Sequence, residues 1–247
     1  MSSKSVVVHP DADSLAAAAA ARLITKIVDL QAGGGAPRIV LAGGGVAIKM
    51  LEHVRESPAA AAIDWSRIEL YWGDERYVAP DHPERNELQA RRALLDHVPV
   101  DPAKVHPMGA DTGGPVEEAA AAYAELLAEQ AGGSGVPAFD VLLAGMGGEG
   151  HTLSVFPDSP AVHETTAGVV AVHDCPKPPP TRISLTLPAA RAAAEVWIVT
   201  AGGAKAEAVA AALGGAPEVE KPIAGAVGRE RTLWLIDREA AGKLPGS

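Results

Sequence analysis

Between Leu142 and Pro157 the chain reads LLAGMGGEGHTLSVFP, and this stretch holds the residues whose types and spacing best suit chemistry. An apolar run breaks at Gly145, Gly147, Gly148 and Gly150 and places Glu149 two positions before His151. An imidazole changes charge near neutral pH, and one held by a carboxylate can take a proton from water. The glycines let the backbone adopt positive φ and approach a ligand closely. His9, His53, His82, His97, His106, His163 and His173 lack this combination of nearby carboxylate and glycine-made space. By itself the stretch also fits a glycine-rich connection with an incidental histidine.

Other segments offer groups that such a base would need. Gly43-Gly44-Gly45, between an apolar run and a helical pattern, can present backbone N–H groups and a positive helix end to a phosphate, or can simply form a tight turn. It has neither the lysine and hydroxyl of a Walker loop nor the spacing of a dinucleotide fingerprint. Gly202-Gly203 with Lys205 repeats the arrangement and adds a cation, which favours a phosphate site. Asp74-Glu75-Arg76 follows an apolar run and reads as reactive charges, a helix cap or a surface ion pair. Arg182, between prolines and the alternating Ile183 and Leu185, is either a fixed clamp for phosphate or carboxylate, or half of a core-edge salt bridge. No Gly-x-Ser-x-Gly elbow points to a serine acyl-enzyme, and no His-Glu-x-x-His or cysteine pair signals a metal.

The elements that must position these groups alternate along the chain. Strands are expected at 5–9, 38–42, 68–72, 139–144, 168–173, 195–200 and 232–236. Helices are expected from Asp11 or Asp13 to about Gln31, over 46–56, to about Asp96, over 115–130 and over 204–213, with a helix or helical turn from near Thr152. This pattern predicts a single α/β domain over residues 1–247, with an open, mostly parallel, Rossmann-like sheet covered by helices on both faces. The region from Val98 to Gly114 reads as a loop. In such sheets ligands bind outside the carboxyl ends of the strands. Segments 43–45, 73–76, 145–151 and 202–205 all follow strands, so parallel strands would open them on one edge.

Composition narrows the class of partner. A formal net charge of −10 argues against broad binding to nucleic acid or anionic membranes, which needs a basic face. The single cysteine, Cys175, rules out an intramolecular disulfide and suits a reducing, cytoplasmic setting. There is no secretory leader pattern and no apolar run long enough to span a membrane.

In their order, LAGGGVAIKML, WGDERYVAPDHPERN, LLAGMGGEGHTLSVFP, KPPPTRISLT and GGAKAEAV make the chain resemble the 6-phosphogluconolactonase family, which shares its fold with glucosamine-6-phosphate deaminases. The resemblance implies hydrolysis of a sugar-phosphate lactone, 6-phosphoglucono-δ-lactone, in the oxidative pentose phosphate pathway, without a cofactor. It further implies His151 as the base that activates water, Glu149 where the family commonly has Asp, and Asp74 and Arg76 beside the sugar and its carbonyl. Gly43, Gly44, Gly45, Arg182 and Lys205 would receive the phosphate, and Gly147, Gly148 or Arg76 would stabilise the oxyanion. The chain departs from the family's Ser-Gly-Gly-Ser-Thr-Pro loop at Ala42, Gly45, Val46 and Ala47, which removes hydroxyl contacts but leaves backbone donors. Arg85, where Ser is common, would add a cation at the rim or point into solvent. The alternatives are an amino-sugar-phosphate deaminase or isomerase and a non-catalytic sugar-phosphate-binding module.

Overall fold

A computed structural model describes residues 3–133 and 135–245. The main sheet is built from β1 (Ser3–His9), β2 (Arg38–Leu41), β3 (Glu69–Trp72), β5 (Val105–His106), β6 (Val141–Ala144), β9 (Glu195–Thr200) and β10 (Arg231–Asp237). Its order is β1-β10-β9-β6-β2-β3-β5 and every pairing is parallel. A second sheet, in the order β4-β8-β7, joins β4 (Asp74–Arg76), β8 (Arg182–Leu185) and β7 (Val169–Val172) in antiparallel fashion.

Strand side chains alternate between two cores, as the two-residue period of a strand requires. Ile39, Leu41, Val141, Leu143, Trp197 and Val199 pack toward α1 (Ala12–Ala32), α2 (Gly45–Glu56) and α3 (Asn86–Ala93). Val40, Leu142, Ala144, Val196 and Ile198 pack on the other face. That face is covered by α4 (Val116–Gln130), α6 (Ala206–Leu213), α7 (Arg238–Ala241) and the inner side of the second sheet, with the short α5 (Leu187–Ala190) following β8. The start of α1 is held by Asp11, whose carboxylate accepts the Ser14 N–H at 2.8 Å.

The sheet is thus mostly parallel and covered on both faces, but three expectations for its parts change. The segment expected as a strand at 168–173 forms β7 of the second sheet, and the seventh place in the main sheet goes to the two-residue β5, inside the region read as a loop. The charged segment 74–76 is itself a strand, because Gly73 turns the chain out of β3 and straight into pairing with β8. Gly73 joins the two sheets, donating its N–H to Leu41 and accepting from the Leu185 N–H at 2.8 Å. No helix begins near Thr152. Leu153 adopts φ 53 and Thr152 bridges to Val155, so the backbone leaves helical geometry there.

Candidate active site

The carboxyl ends of β2, β3, β6 and β9 border one cavity of about 230 Å³. Its lining includes Gly43, Gly44, Gly45, Asp74, Arg76, His151, Arg182 and Lys205, so all four post-strand segments do meet at one edge.

His151 sits at the end of the turn after β6, its side chain 14% exposed. Its Nδ1 lies 2.7 Å from Glu149 Oε1, and its ring stacks on Phe156 with centroids 4.3 Å apart. Since the carboxylate accepts a hydrogen bond, Nδ1 carries the proton in the neutral ring and Nε2 keeps its lone pair. Burial lowers the His151 pKa below its ordinary value, outweighing the opposing pull of Glu149 and Asp74, while Lys177 adds to the lowering. For Glu149, partial burial works against ionisation, but hydrogen bonding from Lys177 and from the backbone, together with His151, brings the carboxyl down to about 2.

Gly147 makes this packing possible. A Cβ there would lie 2.2 Å from His151 Nδ1 and 2.5 Å from Glu149 Oε2. As an oxyanion donor, however, Gly147 is unsuited, because its N–H already bonds the His151 carbonyl at 3.0 Å. Gly148 abuts the Ala204 carbonyl, and neither glycine lines the cavity. From this turn Gly145 and Met146 do so instead.

Strand β4 delivers Asp74 and Arg76 from the same side, as its two-residue period requires. Asp74 accepts from Ser154 Oγ at 2.7 Å and lies 3.9 Å from the Arg182 guanidinium. Arg76 donates through Nη1 to the Glu84 carbonyl. Between them Glu75 is fully buried and accepts the N–H groups of Arg76, Asn86 and Glu87 at 2.7–2.9 Å, capping α3. Arg85 is neither at the rim nor in solvent. It is 1% exposed and its guanidinium bonds Glu87 and the Met108 carbonyl beside Glu75. The buried Glu75 and the partly buried Glu87 carboxylate draw it inward.

Arg182 lines the cavity, yet each of its three nitrogens is engaged. Nε donates to the Pro179 carbonyl at 3.1 Å, Nη2 to the Lys177 carbonyl at 2.9 Å and Nη1 to Ser154 Oγ at 3.4 Å. It therefore fastens the proline segment to β8.

The two glycine turns differ. At the start of α2, Gly44 has φ 95 and ψ 156, no side chain caps the helix, and no described residue accepts the Gly44 or Gly45 N–H. At Gly202, with φ 95 and ψ 145, the N–H bonds Asp237 Oδ1 at 3.0 Å, and the Gly203 N–H bonds Glu239 Oε2 at 3.3 Å. Carboxylates of the chain itself thus occupy the second turn, contrary to the expectation that its backbone receives phosphate. Its contribution to the cavity is the side chain of Lys205, whose pKa burial and nearby Lys177 lower.

With this geometry in hand, residues 10–234 match the sequence profile of the family described as glucosamine-6-phosphate isomerases/6-phosphogluconolactonase. The chain belongs to this family. A Streptomyces coelicolor protein named 6-phosphogluconolactonase is 55% identical over 248 residues, covering 98% of this chain and 95% of that one. A Mycobacterium tuberculosis protein of the same name is 54% identical over 247 residues, covering 98% and 99%. The solved 6-phosphogluconolactonase of Trypanosoma brucei superposes with a TM-score of 0.84 at 25% identity, covering 99% of this chain and 100% of that structure.

For this glucosamine-6-phosphate isomerase/6-phosphogluconolactonase family member, sequence reasoning missed two groups at the site. Lys177 Nζ lies 2.8 Å from Glu149 Oε2, reached across the fold from the proline segment, and nothing in its local sequence signals that pairing. Asn86, 1% exposed, lines the cavity and donates to the Asp74 carbonyl at 2.8 Å. Its signal was its place at the start of a helix after a polar loop, where a side chain can meet a strand end.

Proposed function

We propose that this chain is a 6-phosphogluconolactonase, hydrolysing 6-phospho-D-glucono-1,5-lactone to 6-phospho-D-gluconate in the cytoplasm, as a step of the oxidative pentose phosphate pathway and as one domain. The observation that carries the reading is the Glu149–His151 pair at 2.7 Å, with His151 lining the same cavity as an uncapped helix start.

In this reading the phosphate sits against the Gly43–Gly45 turn and the first amides of α2, with Lys205 as its counter-charge. The lactone carbonyl then faces His151. Nε2 removes a proton from water as the water oxygen bonds C1, and the carbonyl electrons move onto oxygen. The Arg76 guanidinium stabilises that oxyanion, since the Gly147 N–H is already occupied. As the intermediate collapses, the bond from C1 to the ring oxygen breaks, and the imidazolium returns its proton to the leaving alkoxide. Asp74 accepts from a sugar hydroxyl, while Arg182 holds the wall.

Replacing His151 with Ala should lower lactone turnover roughly 10²–10⁴-fold. Unchanged turnover would leave only a binding module. The acid limb of kcat/KM should fall below the ordinary histidine range, because burial lowers the His151 pKa; protonation removes the base as pH drops. A midpoint above that range would contradict His151 as the base. The family description also includes isomerases, so ammonia release from glucosamine 6-phosphate should be assayed in parallel. Ammonia release without lactone hydrolysis above the spontaneous rate would replace this reading with a deaminase.

A further inference from the structure

Glu149 does not hold His151 alone. One carboxylate oxygen meets His151 Nδ1 at 2.7 Å, and the other accepts from Lys177 Nζ at 2.8 Å. The backbone under the carboxylate is also tied down, as Lys221 Nζ donates to the Glu149 carbonyl at 3.0 Å. At the far end of this chain of contacts, the Lys177 carbonyl accepts from Arg182 Nη2 at 2.9 Å, and the Arg182 guanidinium lies 5.9 Å from the Phe156 ring on which His151 stacks. The imidazole is therefore gripped on its edge through Glu149 and Lys177, and on its face through Phe156 and Arg182. Both grips lead back to one buried guanidinium.

We propose that Lys177 is a positioning residue for the imidazole: by fixing the outer oxygen of Glu149 it sets the direction of the inner oxygen, and with it the tautomer and tilt of the His151 ring. The proposal rests on the reading of His151 as the base. A carboxylate longer than aspartate has one more rotatable bond, and a second anchor removes the freedom that this bond adds. Lys177 and Glu149 side chains are 46% and 34% exposed, so the pair adds little to stability and its consequence lies in geometry and charge. The charged groups around the ring are Glu149 and Lys221 at the turn, Asp74 from β4, Lys177 from the proline segment, Arg182 from β8 and Lys205 after β9. Lys177 is the cation whose direct bond to Glu149 offsets the carboxylate's pull on the imidazole proton.

The test compares the wild-type chain with Lys177→Met and Lys177→Arg. The imidazole of His151 is titrated by NMR without substrate, and kcat and KM are measured across pH. Lys177→Met should raise the His151 midpoint by roughly half to one unit. Turnover near about pH 6 should fall roughly twofold to fivefold, and a smaller loss of kcat from the misplaced ring should persist at alkaline pH, with KM within about twofold. Lys177→Arg should restore most of both. An unmoved titration overturns the proposal, as does a rise in KM with an unmoved titration, which would make Lys177 a phosphate contact. The titration is independent of turnover. If His151→Ala were active while Lys177→Met still shifted the titration, the catalytic reading would fail and the coupling would stand.

Discussion

Two glycine turns, after β2 and after β9, have nearly the same backbone, with Gly44 at φ 95, ψ 156 and Gly202 at φ 95, ψ 145. Each leads into a helical segment, and each contributes to the edge on which the cavity opens. They differ in what meets their N–H groups. The turn at Gly202 is closed by Asp237 and Glu239, whereas the turn at Gly44 ends in open donors above the twelve-residue helix α2. A local conformation that suits anion binding is thus converted into either a site or a structural joint by side chains far away in sequence. Asp237 is 35 residues from Gly202, and it also caps α7, donating nothing and accepting from the Ala240 N–H.

Substitutions can break or sharpen this distinction. The largest effect is expected at Gly43→Ala, where the new Cβ would fall 1.9 Å from Asn86 Oδ1 and force apart the glycine turn and Asp74's partner. Lactone kcat/KM should drop by roughly 10²-fold. A near-normal value would show that the turn does not shape the cavity. Gly44→Ala and Gly202→Ala form a matched pair, since each forces a methyl-bearing residue to positive φ with open space around it. Both should lose about 1–3 kcal/mol of stability in thermal unfolding. Only Gly44→Ala should also raise KM, by about tenfold. Equal KM changes in the two would erase the distinction. Lys205→Ala should raise KM about fivefold with little change in kcat, a smaller loss because a half-buried lysine shares the phosphate with backbone donors. Smallest is Glu239→Ala, expected to change KM less than about twofold, because the Gly203 N–H it releases belongs to a residue that does not line the cavity. A large KM decrease in that variant would mean the second turn competes for phosphate after all.

Much of this arrangement was legible in the order of residues. The alternation of apolar runs, glycine turns and amphipathic stretches reports strands and helices because side-chain periodicity reflects local geometry. The run Gly145–His151 stood out because glycines and an imidazole seldom serve a core. The second sheet was not legible. Asp74-Glu75-Arg76 carries charges that read as loop, and it becomes β4 only because β8 supplies the ladder. For Arg85 the sequence suggested the rim or solvent, and the buried Glu75 together with the partly buried Glu87 reversed that. Likewise the Gly147 N–H looked available until the turn closed on the His151 carbonyl.

By itself the sequence determined the strand–turn–helix rhythm and the nearness of Glu149 to His151, since these depend on residues within a few positions of one another; that four post-strand segments open on one edge followed only once the strands proved parallel. Only the tertiary structure decided which backbone donors stay open, which guanidinium is a fastener, and that Lys177, 28 residues from Glu149, holds its second oxygen. Hydrogen bonds act over about 3 Å, and which distant groups come within that reach depends on how the sheets pack.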